Sequence, residues 1–339
     1  MISTVEQLEE RLCRPSERLI AFLRGLEGDI AVIGAGGKMG PTLAMLAANA
    51  IRESGVPRCL HAVSTFSDPG LRARLESFGI QTHAVDVLSD EAARQLPDAR
   101  HVIYMVGRKF GSTGAEWDTW GTNVYAAGAV SRRYRDSRIV AFSSGNIYPF
   151  MPVDSGGATE GTPPEPVGEY AMTCLGRERM FEYASRHFGT RVLQYRLNYA
   201  VELRYGVLLD VATQVWNGKP VEVTTGYANC VWQGFANEVA LRSLELAASP
   251  QAILNVTGLE RVSIRALAGE FGRLLDREPI IVGEEAHTAL LSNASKCHAL
   301  YGPPDVTLDE LIEWTAHWVK LGGPTLAKPT HFQTRNGKF

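Results

Sequence analysis

The chain has 339 residues, 45% of them hydrophobic, and a formal net charge of −3. That length supports one large α/β domain, or a dinucleotide domain with a smaller lobe, and the composition is that of a globular protein. The charge provides no strong pull toward nucleic acid or anionic lipid, and no apolar run approaches the roughly 20 residues of a membrane helix. Five scattered cysteines, none in a Cys-x-x-Cys pair, argue against a disulfide framework and suit a reducing compartment. The first 28 residues carry Glu6, Glu9, Glu10, Arg11 and Arg14 without an apolar core, so they do not read as a signal peptide. The expectation is a soluble, cytoplasmic protein with no nucleic-acid or membrane partner.

In chain order, Thr4 is a candidate cap for a helix over 5–12, and Pro15 separates it from a second packing helix over 17–26. Strands are expected at 30–33, 60–64, 81–87, 101–106 and 138–142. Helices are expected at 42–51, 71–78 and 122–134. This alternation predicts an α/β fold, a Rossmann-like doubly wound parallel sheet with helices on both faces. Residues 149–166 are rich in Gly, Pro, Thr and acidic residues and read as a long loop, a candidate lid. A helix at 168–186 and a strand at 191–197 follow. Less regular alternation then places a strand at 253–257 and helices at 263–275 and 308–321. The expected organisation is a helical extension (1–28), a dinucleotide-binding domain (29–197), a mainly substrate-binding C-terminal α/β lobe (198–321) and an irregular polar tail (322–339).

The strongest local signal is Gly34-Ala35-Gly36-Gly37-Lys38-Met39-Gly40, placed between a strand and a helix. A tight turn there needs glycine, a side chain would block a pyrophosphate, and the following helix offers unpaired N–H groups and a positive dipole end. The spacing is Gly-x-x-Gly-x-x-Gly, because Met39 stands where the strict Gly-x-Gly-x-x-Gly needs its last glycine. Ser64 ends the second strand where an acid would favour NAD. Arg72 and Arg74 are near enough to suggest a 2′-phosphate, so NAD or NADP stays open.

These segments resemble, in order, the extended short-chain dehydrogenase/reductases, the family of NAD-dependent sugar-nucleotide epimerases and dehydratases. The resemblance runs from about residue 30 to about residue 321. It implies cofactor contacts at Gly34, Gly37, Lys38, Met39, Gly40, Ser64, Asp86, Val87, Gly107, Lys109 and Tyr170. Phe142-Ser143-Ser144-Gly145-Asn146-Ile147-Tyr148 is similar to the family's serine segment and makes Ser144 the catalytic serine. Asn123 looks like the supporting helix asparagine, and Tyr170 like the catalytic tyrosine. Arg196-Leu197-Asn198 resembles the family's Arg-x-x-Asn, one residue shorter. Substrate contacts are expected from Ser144, Asn146, Arg108, Lys109, Asn198, Asn229 and Trp232, the last two with Gln233 and Asn237 as a polyol wall.

The departure lies at the chemistry. The family's Tyr-x-x-x-Lys is here Tyr170-Ala171-Met172-Thr173-Cys174. Residues i and i+4 share a helix face, so a thiol stands where an ammonium would stabilise a tyrosinate. The substitute cation is sought in Gly107-Arg108-Lys109-Phe110-Gly111, with Lys109 foremost, while Arg177 and Arg179 read as surface or packing residues. No metal is expected, since the eight histidines show no ligand spacing. No Gly-x-Ser-x-Gly elbow surrounds Ser144, which disfavours a serine hydrolase. The expected activity is NAD(P)-dependent epimerisation, dehydration or dehydrogenation of a sugar, sugar acid or related polyhydroxylated molecule. A cofactor-binding sensor or scaffold without redox chemistry, or a non-redox enzyme with a structural cofactor, is the alternative. A homodimer is left open.

Overall fold

The computed structural model describes residues 1–109, 111 and 113–338; Phe110 of the basic loop and the last residue of the tail lie outside the described residues. Two amphipathic helices, α1 (Val5–Leu12) and α2 (Glu17–Gly25), open the chain, capped by the side chains of Thr4 and Ser16. The sheet follows with strands β1 (Ile30–Ile33), β2 (Leu60–Ser64), β3 (Gln81–Ala84), β4 (His101–Tyr104), β5 (Arg138–Ser144), β6 (Arg191–Leu197) and β7 (Ala252–Val256). Its order is β7-β6-β5-β4-β1-β2-β3 and every pairing is parallel. The first six strands thus follow the doubly wound order 3-2-1-4-5-6, with β7 added beyond β6.

Helices cover both faces: α3 (Gly40–Ser54), α4 (Pro69–Ser77), α5 (Ala126–Arg133), α6 (Glu169–Phe188), α7 (Val207–Trp216), α8 (Gln233–Arg242), α9 (Ile264–Leu275) and α10 (Leu308–Lys320). The central strands β1 and β4 are buried at every residue, as expected of a parallel sheet covered on both sides. Ala44 and Ala47 of α3 are fully buried, and their small side chains let that helix lie close to the sheet. A π-helical turn, Gly121–Tyr125, precedes α5 and carries the buried Asn123.

Three expectations change. Strands 81–87 and 101–106 stop early, at Ala84 and Tyr104; past Tyr104 the chain leaves the sheet and brings Met105 and Lys109 to the cleft wall. Residues 252–256 return to the main sheet beside β6, so the sheet crosses the boundary expected at residue 197. The tail is irregular but packed: Thr330 and Phe332 are buried, and Thr330 donates both its N–H and its hydroxyl to Asp210 Oδ2, at 2.8 and 2.6 Å.

Candidate active site

The glycine turn is built by the strand before it and the helix after it. The N–H groups of Gly34 and Ala35 both bond the Val63 carbonyl of β2, at 2.8 and 3.0 Å. Gly34 has φ +92°, and a Cβ there would lie 2.8 Å from the backbone nitrogen of Val106. A Cβ on Gly40 would lie 2.5 Å from the Ala35 carbonyl oxygen, so glycine lets α3 press onto the turn. Met39, at the N-cap of α3, makes no side-chain cap bond, and Pro41 brings no donor. The remaining first-turn N–H groups and the helix dipole are therefore available to an anion.

A cavity of about 240 Å³ opens at the carboxyl ends of the strands, where ligands bind in doubly wound sheets. Gly34, Gly37, Lys38, Met39 and Gly40 line one side. Ser143, Ser144 and Asn146 come from the end of β5, Tyr170 from the first turn of α6, and Asn198 through Val201 from the chain after β6. Met105, Lys109, Tyr205 and Thr330 complete the wall. The hydroxyl of Ser143 is buried in this wall without a partner among the described residues, a polar group suited to a ligand.

The Tyr170 side chain is partly buried. Burial drives its hydroxyl well above its usual range, the adjacent Cys174 adds to this, and Arg177 and a hydrogen bond with Ser144 oppose it. Burial likewise raises the Cys174 thiol. The resting pair is a phenol and a thiol, able to donate and not to act as anions. Arg177, expected at the surface or in packing, runs beneath this pair. It is 5% exposed, donating to the Val106 carbonyl at 2.8 Å and to Cys174 Sγ at 3.3 Å. Arg179 does lie outside, paired with Glu182.

Two lysines add positive charge to the cleft. Lys109 Nζ donates to the Thr330 carbonyl at 3.0 Å and lies 5.8 Å from the Tyr170 ring centre. Burial holds it down to about 8, with Cys174 and Asp210 opposing. Lys38 Nζ donates to the Ala200 carbonyl at 2.9 Å and sits 3.7 Å over the Tyr205 ring. Burial lowers it too; Glu202 opposes this and Lys109 reinforces it. An anion entering the cleft would restore the proton affinity of both.

Other expected residues stand outside the cavity wall. Asn123 exchanges hydrogen bonds with the Arg108 backbone, at 2.7 and 3.0 Å, and donates to Thr173 Oγ1 at 2.8 Å. It thus fastens the loop after β4 to α6. Arg108 turns away to pair with Asp118, and Gly107 packs over the Arg177 guanidinium. Ser64 abuts Gly36 at the turn. Asp86 is exposed, accepting the Leu88 N–H at 2.9 Å, and Val87 lines a separate surface groove.

The polyol wall is corrected. Trp232 is buried against Trp314, with ring centres 6.0 Å apart. Gln233 and Asn237 both donate to Thr42 Oγ1 at 3.1 Å, joining α8 to α3. Asn229 lies behind Asn198, accepting from its amide at 3.4 Å and from the Ser292 N–H at 3.0 Å. The lid is corrected as well. Ala158 is buried, Glu160 accepts the Asn255 N–H at 3.0 Å, and Asp154 pairs with Arg261, so the loop is pinned away from the cavity. Sequence reading missed Thr330 and Tyr199. Tyr199, on the cleft wall, adopts φ +43°, unusual for a non-glycine residue, and nothing local announces it.

No protein-family model matches the sequence, and no curated protein matches it. Solved structures do. UDP-glucuronic acid 4-epimerase from Bacillus cereus, in complex with UDP-glucuronic acid and NAD, is 17% identical with a TM-score of 0.72 in one complex and 0.71 in this one. The match covers 86% of this chain and 99% of that one. The chain has the fold of these epimerases. UDP-glucose 4-epimerase from Thermus thermophilus, in complex with NAD, is 18% identical with a TM-score of 0.68, over 85% of this chain and 97% of that one. A UDP-galactose 4-epimerase is 21% identical with a TM-score of 0.67, over 86% and 98%.

Proposed function

We propose that the protein is an NAD-dependent enzyme of the extended short-chain dehydrogenase/reductase type, acting on a sugar nucleotide or related polyhydroxylated molecule. The observation that carries this reading is the meeting of glycine turn, Ser144 and Tyr170 in one cavity. The fold neighbours, described as complexes with NAD and UDP-sugars, support it. NAD is favoured over NADP because Arg72 is engaged by Glu76 and Arg74 by Glu9.

The glycine turn and the open first turn of α3 would hold the pyrophosphate, and the bound cofactor would accept and return a hydride. Tyr170, protonated at rest, hydrogen-bonds the substrate oxygen and exchanges its proton. Ser144 orients that oxygen. Arg177 and Lys109 supply the positive charge that steadies Tyr170 when it is deprotonated, in place of a lysine at position 174. Asn123 keeps the loop bearing Lys109 against α6. With five unpaired cysteines and, among the described residues, no helix long and apolar enough to cross a membrane, we place the protein in the cytoplasm.

The test is to release and identify any nicotinamide cofactor bound to the purified protein, then to follow UDP-glucose, UDP-galactose and UDP-glucuronic acid by product analysis. The absence both of bound cofactor and of any NAD binding in titration would sink the proposal. Binding of NAD without turnover of any sugar would favour a redox-silent sensor, the reading that Cys174 supports.

A further inference from the structure

At the opposite end of the sheet from the cleft, a second group of chemistry-bearing side chains meets. Asp29 immediately precedes β1, Cys59 immediately precedes β2, and His61 is the second residue of β2. The Cys59 N–H donates to Asp29 Oδ1 at 2.8 Å, leaving the other carboxylate oxygen to face outward from that bond. Alternation along a strand puts Cys59 and His61 on one face, and the register with β3 brings Gln81 and His83 to the same face. The contacts follow this pattern: Gln81 Nε2 lies 3.6 Å from Cys59 Sγ, and His61 Nδ1 lies 3.1 Å from His83 Nε2.

We propose that Asp29, Cys59 and His61 bind a divalent transition-metal ion of the zinc class. One ligand atom from each of the three lies within 4.8 Å of the others. Tetrahedral zinc with thiolate, imidazole and carboxylate ligands sets those separations at roughly 3.3–3.8 Å, so the group must close by about 1 Å. Asp29 and Cys59 are only partly buried and have room to do so. The donor set selects against magnesium and calcium, which take oxygen ligands. With the shared proton on Nδ1 of His61, its Nε2 carries the lone pair a metal needs, and His83 becomes the partner that orients the ring. Arg58, the nearby cation, is directed to the carbonyls of Leu23 and Gly28. A metal here would tie the starts of β1 and β2 together and would take no part in the cleft chemistry. Local spacing could not reveal it, because strand pairing brings Asp29 to the Cys59–His61 pair.

The test uses the full chain stripped with a chelator. Equilibrium dialysis should give one equivalent of Zn²⁺, and Co²⁺ should give a thiolate-to-metal charge-transfer band. Both should be lost in C59S/H61Q. Zn²⁺ should also slow alkylation of Cys59 by about tenfold or more in the unaltered chain, read by peptide mass spectrometry. Cys13, Cys174, Cys230 and Cys297 are buried and serve as slow internal references. This readout decides the matter even if the double variant fails to fold. Absence of stoichiometric binding, a Co²⁺ complex without the thiolate band, or an unchanged alkylation rate for Cys59 would overturn the proposal.

Discussion

Glu178 lies two turns along α6 from Tyr170, and its replacement by glutamine tests the packing that holds that helix. Its carboxylate accepts from Arg196 Nε at 2.9 Å and from Nη2 at 2.7 Å. Both side chains are only 5% exposed. The guanidinium also donates to the Tyr148 hydroxyl at 2.7 Å, which in turn donates to Asn255 Oδ1 at 2.8 Å. The network therefore joins α6, β6, β7 and the segment that follows β5. Glutamine keeps the volume but removes the charge and turns an amide N–H₂ toward arginine donors. Leaving a buried charge uncompensated costs about 3–5 kcal/mol. In a chain of this size that corresponds to a fall in melting temperature on the order of 10 °C. Urea unfolding followed by circular dichroism measures it directly, and E178M/R196M should recover most of the loss by removing both charges. Stability of E178Q within about 1 kcal/mol of the parent would refute the reasoning.

Tyr170→Phe should lower sugar turnover by about a hundredfold or more while leaving NAD affinity unchanged; unaltered product formation would defeat its assignment. Gly34→Ala should cost about 1–3 kcal/mol through its positive φ and backbone contact. Gly37→Ala should melt normally, since its Cβ meets only an oxygen at 3.4 Å, yet bind NAD more weakly in titration. Lys109 titrates at about 8 in the folded protein and near 10.4 when unfolded. Between these values the unfolded chain holds a proton the folded chain has released, so ligand-free stability should rise with pH across that window. Lys109→Met should flatten the rise, as read from urea midpoints at several pH values; parallel curves for the two proteins would contradict its burial.

The glycine turn was readable because its cause is local: a buried strand, three glycines and a helix within a few residues. The parallel sheet followed from alternation, since parallel strands need helical crossovers. Arg177 was read as a surface or packing residue, and only the fold decides between the two: α6 lies over the loop after β4 and draws the guanidinium to the Val106 carbonyl. Trp232 was misread because an indole suits both a sugar and a core, and only Trp314, far along the chain, decides between them. Thr330 reaches the cleft through contacts with Asp210 and Lys109, in a segment with no periodicity to announce it. Residues placed by neighbours near in sequence were legible; those placed by partners about seventy or more residues away were not.

The two edges of the main sheet bear on how the protein behaves when concentrated or warmed. At one edge β3 is four residues long and polar, with Gln81 and Ala84 exposed. At the other, Glu160 takes the Asn255 N–H, and Lys296 donates to the Ile253 carbonyl at 2.9 Å. Little unpaired backbone is left for a second molecule to extend the sheet. The native protein should therefore resist strand-by-strand aggregation, and light scattering should stay independent of concentration until the fold itself opens.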